Sequence, residues 1–112
     1  LRGLLALDRG KLGEALVLGE RATKSSPWDA RGWYVQGKVR LERLALGALA
    51  DLEKAADLSN EKDGRILQAL AEAQRAAGRT EAGLRTLRKA KAVLPEDAEI
   101  ASLLRSWEKT EH

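Results

Sequence analysis

The side chains that could do acid–base or nucleophilic chemistry are few here, and none stands at a spacing that chemistry requires. The chain of 112 residues has a single histidine, His112, at its last position, and no cysteine. Catalysis by general acid and base, by a nucleophile or by a metal needs several convergent groups held at fixed geometry. A lone terminal imidazole has no such company. The sequence contains no Cys–His pair, no Ser–His–Asp set, no Walker-type loop and no cluster at metal-ligand spacing. Carboxylates do pair, as Glu61 with Asp63 and Glu96 with Asp97. Both pairs fall where helices are expected to begin, and acids there are explained by capping and by the positive end of the helix dipole. The stretch 46–52, LGALADL, is rich in small residues but reads as helix, which cannot wrap a phosphate. The chain therefore reads as no enzyme, with no cofactor and no metal.

The remaining chemistry is charge. Twenty basic residues face 17 acidic ones, for a net charge of +3 and a pI near 9.4. The two signs are interleaved, the pattern of a mixed solvated surface. One basic concentration stands out, Arg85, Arg88, Lys89 and Lys91. It reads as a solvated helix face, or as a contact for anionic lipid or nucleic acid whose strength would fall steeply with salt. A hydrophobic content of 44% with 33% charge places the chain among soluble globular proteins. No apolar run approaches the 18 residues or so of a membrane span. The lack of cysteine excludes disulfides and thiolate sites and leaves cytoplasm and periplasm equally open. With no methionine and no signal peptide, the chain reads as a segment of a longer protein.

The elements that would position these charges are set by a repeat. Pro27 and Pro95 lie 68 residues apart, twice 34, and close two segments of one design, GKLGEALVLGERATKSSP and GRTEAGLRTLRKAKAVLP. Each opens on a Gly-basic pair, Gly10-Lys11 and Gly78-Arg79. A third copy, RLALGALADLEKAADLSN, ends on Asn60 in place of proline. A period near 34 residues marks stacked helical hairpins. Apolar spacing predicts helices over 1–8, 12–24, 27–42, 44–58, 63–77, 80–93 and 96–109. Ser26 is expected to cap the third and Thr80 the sixth. The turn at Arg43 is one residue short and the loop 60–64, NEKDG, one residue long, so the period is kept. No hairpin of this size buries its own apolar faces, so neighbours must stack.

These residues resemble the tetratricopeptide repeat family. The middle repeat matches through Trp33 and Gly37, then Ala48, Leu52 and Ala55. The third matches through Leu67, Leu70-Ala71, Gly78, Gly83, Leu87, Ala90 and Pro95, and the first through Gly3, Gly10, Ala15, Ala22 and Pro27. Gln36 departs from the usual leucine. Gly3, Gly37 and Ala71 share one slot where the two helices of a hairpin approach closely, while Gly13, Gly19 and Gly47 lack an evident packing reason and predict modest stability. The resemblance implies an all-α, right-handed superhelix of antiparallel hairpins. About two and a half repeats (1–27, 28–62 and 63–95) and a capping helix (96–112) would form one domain.

In this family the first helices of successive hairpins line a concave groove for a peptide or partner domain. Carried over by repeat slot, the groove residues are Arg31, Tyr34, Lys38, Leu41 and Glu42, then Arg65, Gln68, Glu72 and Arg75. Leu4, Leu7 and Asp8 precede them, and Glu99 and Ser102 follow. Trp33 is expected in the core, which turns Tyr34 into the groove. Arg31, Lys38, Arg65 and Arg75 make the groove partly basic and suited to an acidic peptide. Leu4 and Lys38 occupy the slots that hold asparagines in the chaperone-tail-binding members, so that clamp is not expected. The implied function is a non-catalytic protein-interaction scaffold. The alternative is self-association through the apolar edge of Leu1, Leu4, Leu5 and Leu7.

Overall fold

The structure, a computed structural model, describes residues 2–43 and 47–110. Among the described residues seven helices follow one another: α1 Arg2–Asp8, α2 Leu12–Ser25, α3 Ala30–Glu42, α4 Ala48–Leu58, α5 Gly64–Ala76, α6 Thr80–Val93 and α7 Ala98–Thr110. The described residues contain no strand. This is the all-α helical-hairpin fold expected from the repeat. Leu1, residues 44–46, Glu111 and His112 lie outside the described residues, and with them the expected start of the fourth helix, the part of the shortened turn beyond Arg43 and one member of the apolar edge.

Local chemistry explains where the helices start and stop. The repeated Gly-basic pair closes the first helix of a hairpin. At the end of α1, Gly10 N–H donates to Leu7 O at 3.0 Å and Lys11 N–H to Ala6 O at 2.9 Å. At the end of α5, Gly78 N–H donates to Arg75 O at 3.0 Å and Arg79 N–H to Gln74 O at 2.9 Å. Both are Schellman motifs, which need a left-handed residue at the glycine, and Gly10 and Gly78 have φ of 73° and 84°. Asn60 serves similarly after α4, with φ of 55° and its N–H donating to Asp57 O.

The starts correct two expectations. Asp29 rather than Ser26 caps α3, its carboxylate accepting from Arg31 N–H at 2.9 Å, and Ser26 instead closes α2. Pro27 and Trp28 form the turn between them. Thr80 begins α6 without capping it, because the N-cap position falls on Arg79, which makes no side-chain cap. Asp63 caps α5 through Arg65 N–H and Ile66 N–H, and Asp97 accepts from Ile100 N–H at 2.9 Å at the start of α7. Asp29, Asp63 and Asp97 are thus one residue of the repeat, spaced 34 apart.

The chain divides into two compact units, residues 1–60 with α1 to α4 and residues 61–112 with α5 to α7. In the first, Ala6, Ala15, Val35 and Val39 are buried, with Leu4, Leu7, Leu12, Leu16, Leu18 and Tyr34 packed against them. Leu52, Ala55 and Ala56 of α4 are buried as well. In the second, Leu67 and Ala71 of α5, Leu87 and Ala90 of α6, and Ile100 and Trp107 of α7 form the core. Full burial of leucines such as Leu52, Leu67 and Leu87 stabilises by about 2 kcal/mol each.

Trp33 does not join the core. It is half-buried, and its indole N–H donates to Pro27 O at 2.8 Å. An indole needs a partner for that hydrogen, and the proline turn supplies one only at the margin of the unit. Trp28 is 71% exposed, and Trp107 of α7 joins the core of the second unit. The close-approach slot is borne out at Gly37, where an added Cβ would lie 2.6 Å from Leu52 Cγ and 3.0 Å from Asp51 Cβ. Gly19 also has a packing reason, since its Cβ would lie 3.2 Å from Gln36 N. Gly47 has a conformational one, a φ of 94° at the start of α4. Gly13 keeps no such reason. Among the described residues no helix is long and apolar enough to cross a membrane.

Candidate functional site

The residues assigned to binding lie on the first helix of a hairpin in each unit. In the first unit Arg31, Tyr34, Lys38 and Leu41 follow one another on α3 at steps of three and four, and so share one face. Arg31 folds back on the Asp29 cap in a bidentate pair, Nε to Oδ1 at 3.1 Å and Nη2 to Oδ2 at 2.7 Å. This pairing, with the Arg31 backbone N–H, holds the Asp29 carboxyl below the ordinary carboxylate range and raises the guanidinium in return. Tyr34 is half-buried and packs against the cluster of Ala6, Ala15, Val35 and Val39. Lys38 and Leu41 are also half-buried, and Glu42 is exposed.

In the second unit the assigned residues meet α7. Gln68 is only 5% exposed and sits at the centre of a hydrogen-bonded set. Its Oε1 accepts from Arg65 Nη1 at 2.8 Å, while its Nε2 donates to Glu99 Oε1 at 3.0 Å and to Glu72 Oε1 at 3.4 Å. Arg65 Nη2 also donates to Asp97 Oδ2. The Ile100 N–H and then Arg65 hold the Asp97 carboxyl below its ordinary range. Arg75 lies over the Trp107 ring, 4.7 Å from its centroid, a cation–π contact. Arg65, Gln68, Glu72 and Glu99 are therefore brought together, and Arg75 stands apart from them on the indole. Ser102 is exposed on α7.

Two features were not read from the sequence. One is that Asp97 serves two helices at once, capping α7 and holding Arg65 of α5. The 34-residue spacing of Asp29, Asp63 and Asp97 was the signal that could have exposed the capping series, but nothing in it says that Arg65 reaches forward to the next cap. The other is a buried polar set beneath α3. Gln36 Nε2 donates to Asp51 Oδ1 at 3.0 Å, Arg40 Nη1 to Asp51 Oδ2 at 2.7 Å, and Thr23 Oγ1 to Gln36 Oε1 at 3.2 Å. This explains the departure at Gln36: the slot faces a carboxylate. Burial pushes the Asp51 carboxyl above its ordinary range, against the lowering effect of Gln36 and Arg40.

The basic concentration on α6 is largely engaged within its own unit. Arg88 pairs with Glu108 at 3.1 Å, Lys89 with Glu61 at 3.5 Å, and Lys91 Nζ donates to Pro95 O. Arg85 is exposed.

The helix pairs define a fold class, a helical-hairpin repeat of the tetratricopeptide type. Solved structures agree on the fold. The chain is similar to the first TPR of Spaghetti (RPAP3) bound to the HSP90 peptide SRMEEVD, with a TM-score of 0.85 and 16% identity over 97% of this chain and 89% of that one. It is also similar to the Yersinia enterocolitica type III secretion translocator chaperone SycD, with a TM-score of 0.81 and 16% identity over 97% of this chain and 80% of that one. No protein-family model and no curated protein matches the sequence.

Proposed function

We propose that this chain is a protein-interaction scaffold without a catalytic role, whose first-helix faces receive a peptide or a segment of a partner domain. The observation that carries this reading is the fold, shared with one domain whose structure holds a peptide and with one chaperone. The faces involved are those of Arg31, Tyr34, Lys38 and Leu41 on α3, and of Arg65, Gln68, Glu72 and Arg75 on α5. Aromatic and arginine side chains dominate binding hot spots, which makes Tyr34 and Arg65 the residues to test. The ligand of the fold neighbour does not transfer at 16% identity, and Leu4 and Lys38 occupy the slots where the resemblance to chaperone-tail-binding members would place asparagines.

The test is a selection from a displayed random-peptide library on the immobilised chain, followed by affinity measurement of the selected peptides. Tyr34→Ala and Arg65→Ala should each weaken binding by roughly tenfold or more, the effect of a hot-spot truncation. Equal affinity for wild type and both variants, or no selected peptide at all, would remove the reading.

A second reading, self-association, is favoured by Leu5 and Val17, 52% and 48% exposed on α1 and α2. Light scattering distinguishes it: a monomer at all concentrations, unchanged by Leu5→Ser, rules it out.

A further inference from the structure

We propose that the outer face of the first hairpin, α1 with the start of α2, is a second docking site, which takes an acidic amphipathic helix from a partner. A cavity of about 310 Å³ lies there, at the lower end of the range for ligand pockets. Arg2, Leu5, Ala6 and Arg9 wall it from α1 and its closing turn, and Lys11 and Glu14 from the start of α2. The Gly10 turn fixes the rim. Arg9 N–H donates to Leu5 O at 3.2 Å and Lys11 N–H to Ala6 O at 2.9 Å.

Charge sets this cavity apart. Arg31, Arg40, Arg65, Arg75 and Arg88 are each engaged by a carboxylate or an indole. Among the described residues Arg2, Arg9 and Lys11 make no side-chain hydrogen bond or ion pair, although Glu14 shares their cavity. Three free cations against one carboxylate leave the mouth positive. The repeat points the same way. Leu5 holds the position of Val39, 34 residues on. Val39 is fully buried in the cluster of Ala6, Ala15 and Val35, whereas Leu5 is 52% exposed. Arg2 likewise holds the position of Gln36, which is buried, and is itself exposed. A face that helices cover on α3 is thus open on α1. A helix is the occupant that suits it, with one apolar residue set over Leu5 and carboxylates turned to Arg2, Arg9 and Lys11. Val17, three positions after Glu14 and 48% exposed, extends the apolar contact. Two-fold pairing with a second copy would bring these cations against their own equivalents, so the charge favours a different, acidic partner.

The experiment uses the full chain and two labelled, Ala-rich helical peptides, followed by fluorescence anisotropy at low salt. One carries Leu at steps of three and four with Glu beside each, and the other has Lys in place of Glu. Wild type is expected to favour the Glu peptide by roughly tenfold, the scale of a few exposed charge pairs acting together. Arg2→Glu combined with Arg9→Glu should remove that preference. Leu5→Ser should weaken the Glu peptide by roughly fivefold through lost apolar contact. Unchanged helical circular dichroism checks that the variants fold. Equal binding of the two peptides, wild-type affinity in both variants, or no binding of either peptide would overturn the inference. Loss of binding in Tyr34→Ala, with the Arg2 and Arg9 variant unaffected, would overturn it by placing the peptide on α3. Binding to phosphatidylserine vesicles without peptide binding would overturn it in favour of a lipid surface. Dimerisation abolished by Leu5→Ser, again without peptide binding, would overturn it in favour of a second copy.

Discussion

The hairpin α3/α4 and the hairpin α5/α6 solve one packing problem with different chemistry. Arg40 pairs with Asp51 at 2.7 Å in the first, and at the corresponding positions, 34 and 35 residues on, Thr86 donates to Gln74 at 2.6 Å in the second. Gln36 corresponds to Leu70, and both are buried. The first unit thus holds a buried carboxylate with a guanidinium and an amide, where the second holds one neutral hydrogen bond beside a leucine. Taking charges out of water costs about as much as their pairing returns, whereas removing one partner leaves the other uncompensated. The repeat therefore tolerates either solution at the same place, but the two differ in how badly they fail.

The largest expected effect breaks that contrast at its centre. Asp51→Ala strands Arg40 and the Gln36 amide and should cost about 3 kcal/mol, against about 1 kcal/mol for Thr86→Ala. Urea unfolding of the two variants measures both, and equal losses would mean that the units do not differ in this way. Gly37→Ala comes next. Its methyl group would meet Leu52 and Asp51, and such overpacking costs about 2 kcal/mol, while Ala71 already fills the same slot in the second unit. The triple change Gln36→Leu, Arg40→Gln and Asp51→Thr rewrites the first hairpin in the manner of the second. It should be neutral or stabilise by about 1 kcal/mol, and a loss near that of Asp51→Ala would show that the polar set is required for packing.

The smallest effect is on pH dependence. Burial raises the Asp51 carboxyl, so the folded unit binds that proton more readily than the unfolded chain does. Its favourable contribution is full below the ordinary carboxylate range and is lost as pH rises through the raised value. Asp29, lowered chiefly by its hydrogen bond with Arg31, and Asp97, lowered chiefly by the Ile100 N–H, act oppositely. Their contributions are present above the ordinary range and are lost as pH falls through the lowered values. Asp51→Thr should therefore lose more stability than wild type on acidification into the carboxylate range. Parallel pH profiles from urea midpoints would contradict the raised Asp51.

The hairpins were legible from the spacing of Pro27 and Pro95 and from the small residues at Gly37, Ala71, Ala55 and Ala90, because backbone proximity leaves a strict mark on residue size. The helix starts were less so: Ser26 and Asp29 are both good caps, and only the path of the Pro27-Trp28 turn chose between them. Of the candidate site, the helical faces were legible and the partners of each side chain were not. Arg31 and Arg65 hold the same repeat position. One returns to its own capping aspartate and the other reaches Asp97, a choice that depends on which neighbouring helix carries an acceptor within reach.

By itself the sequence determined the period, the helix count and the all-α class. These follow from local propensities and from apolar residues recurring every three or four positions, which each segment carries without reference to the others. Only the tertiary structure decided that Trp33 stays at the margin, that Gln36 faces a buried carboxylate, and that Arg65 and Arg75 are spent within the second unit. Those outcomes depend on distances between helices remote in sequence, where a shift of an ångström or two decides whether a charge is paired, buried or left to a partner.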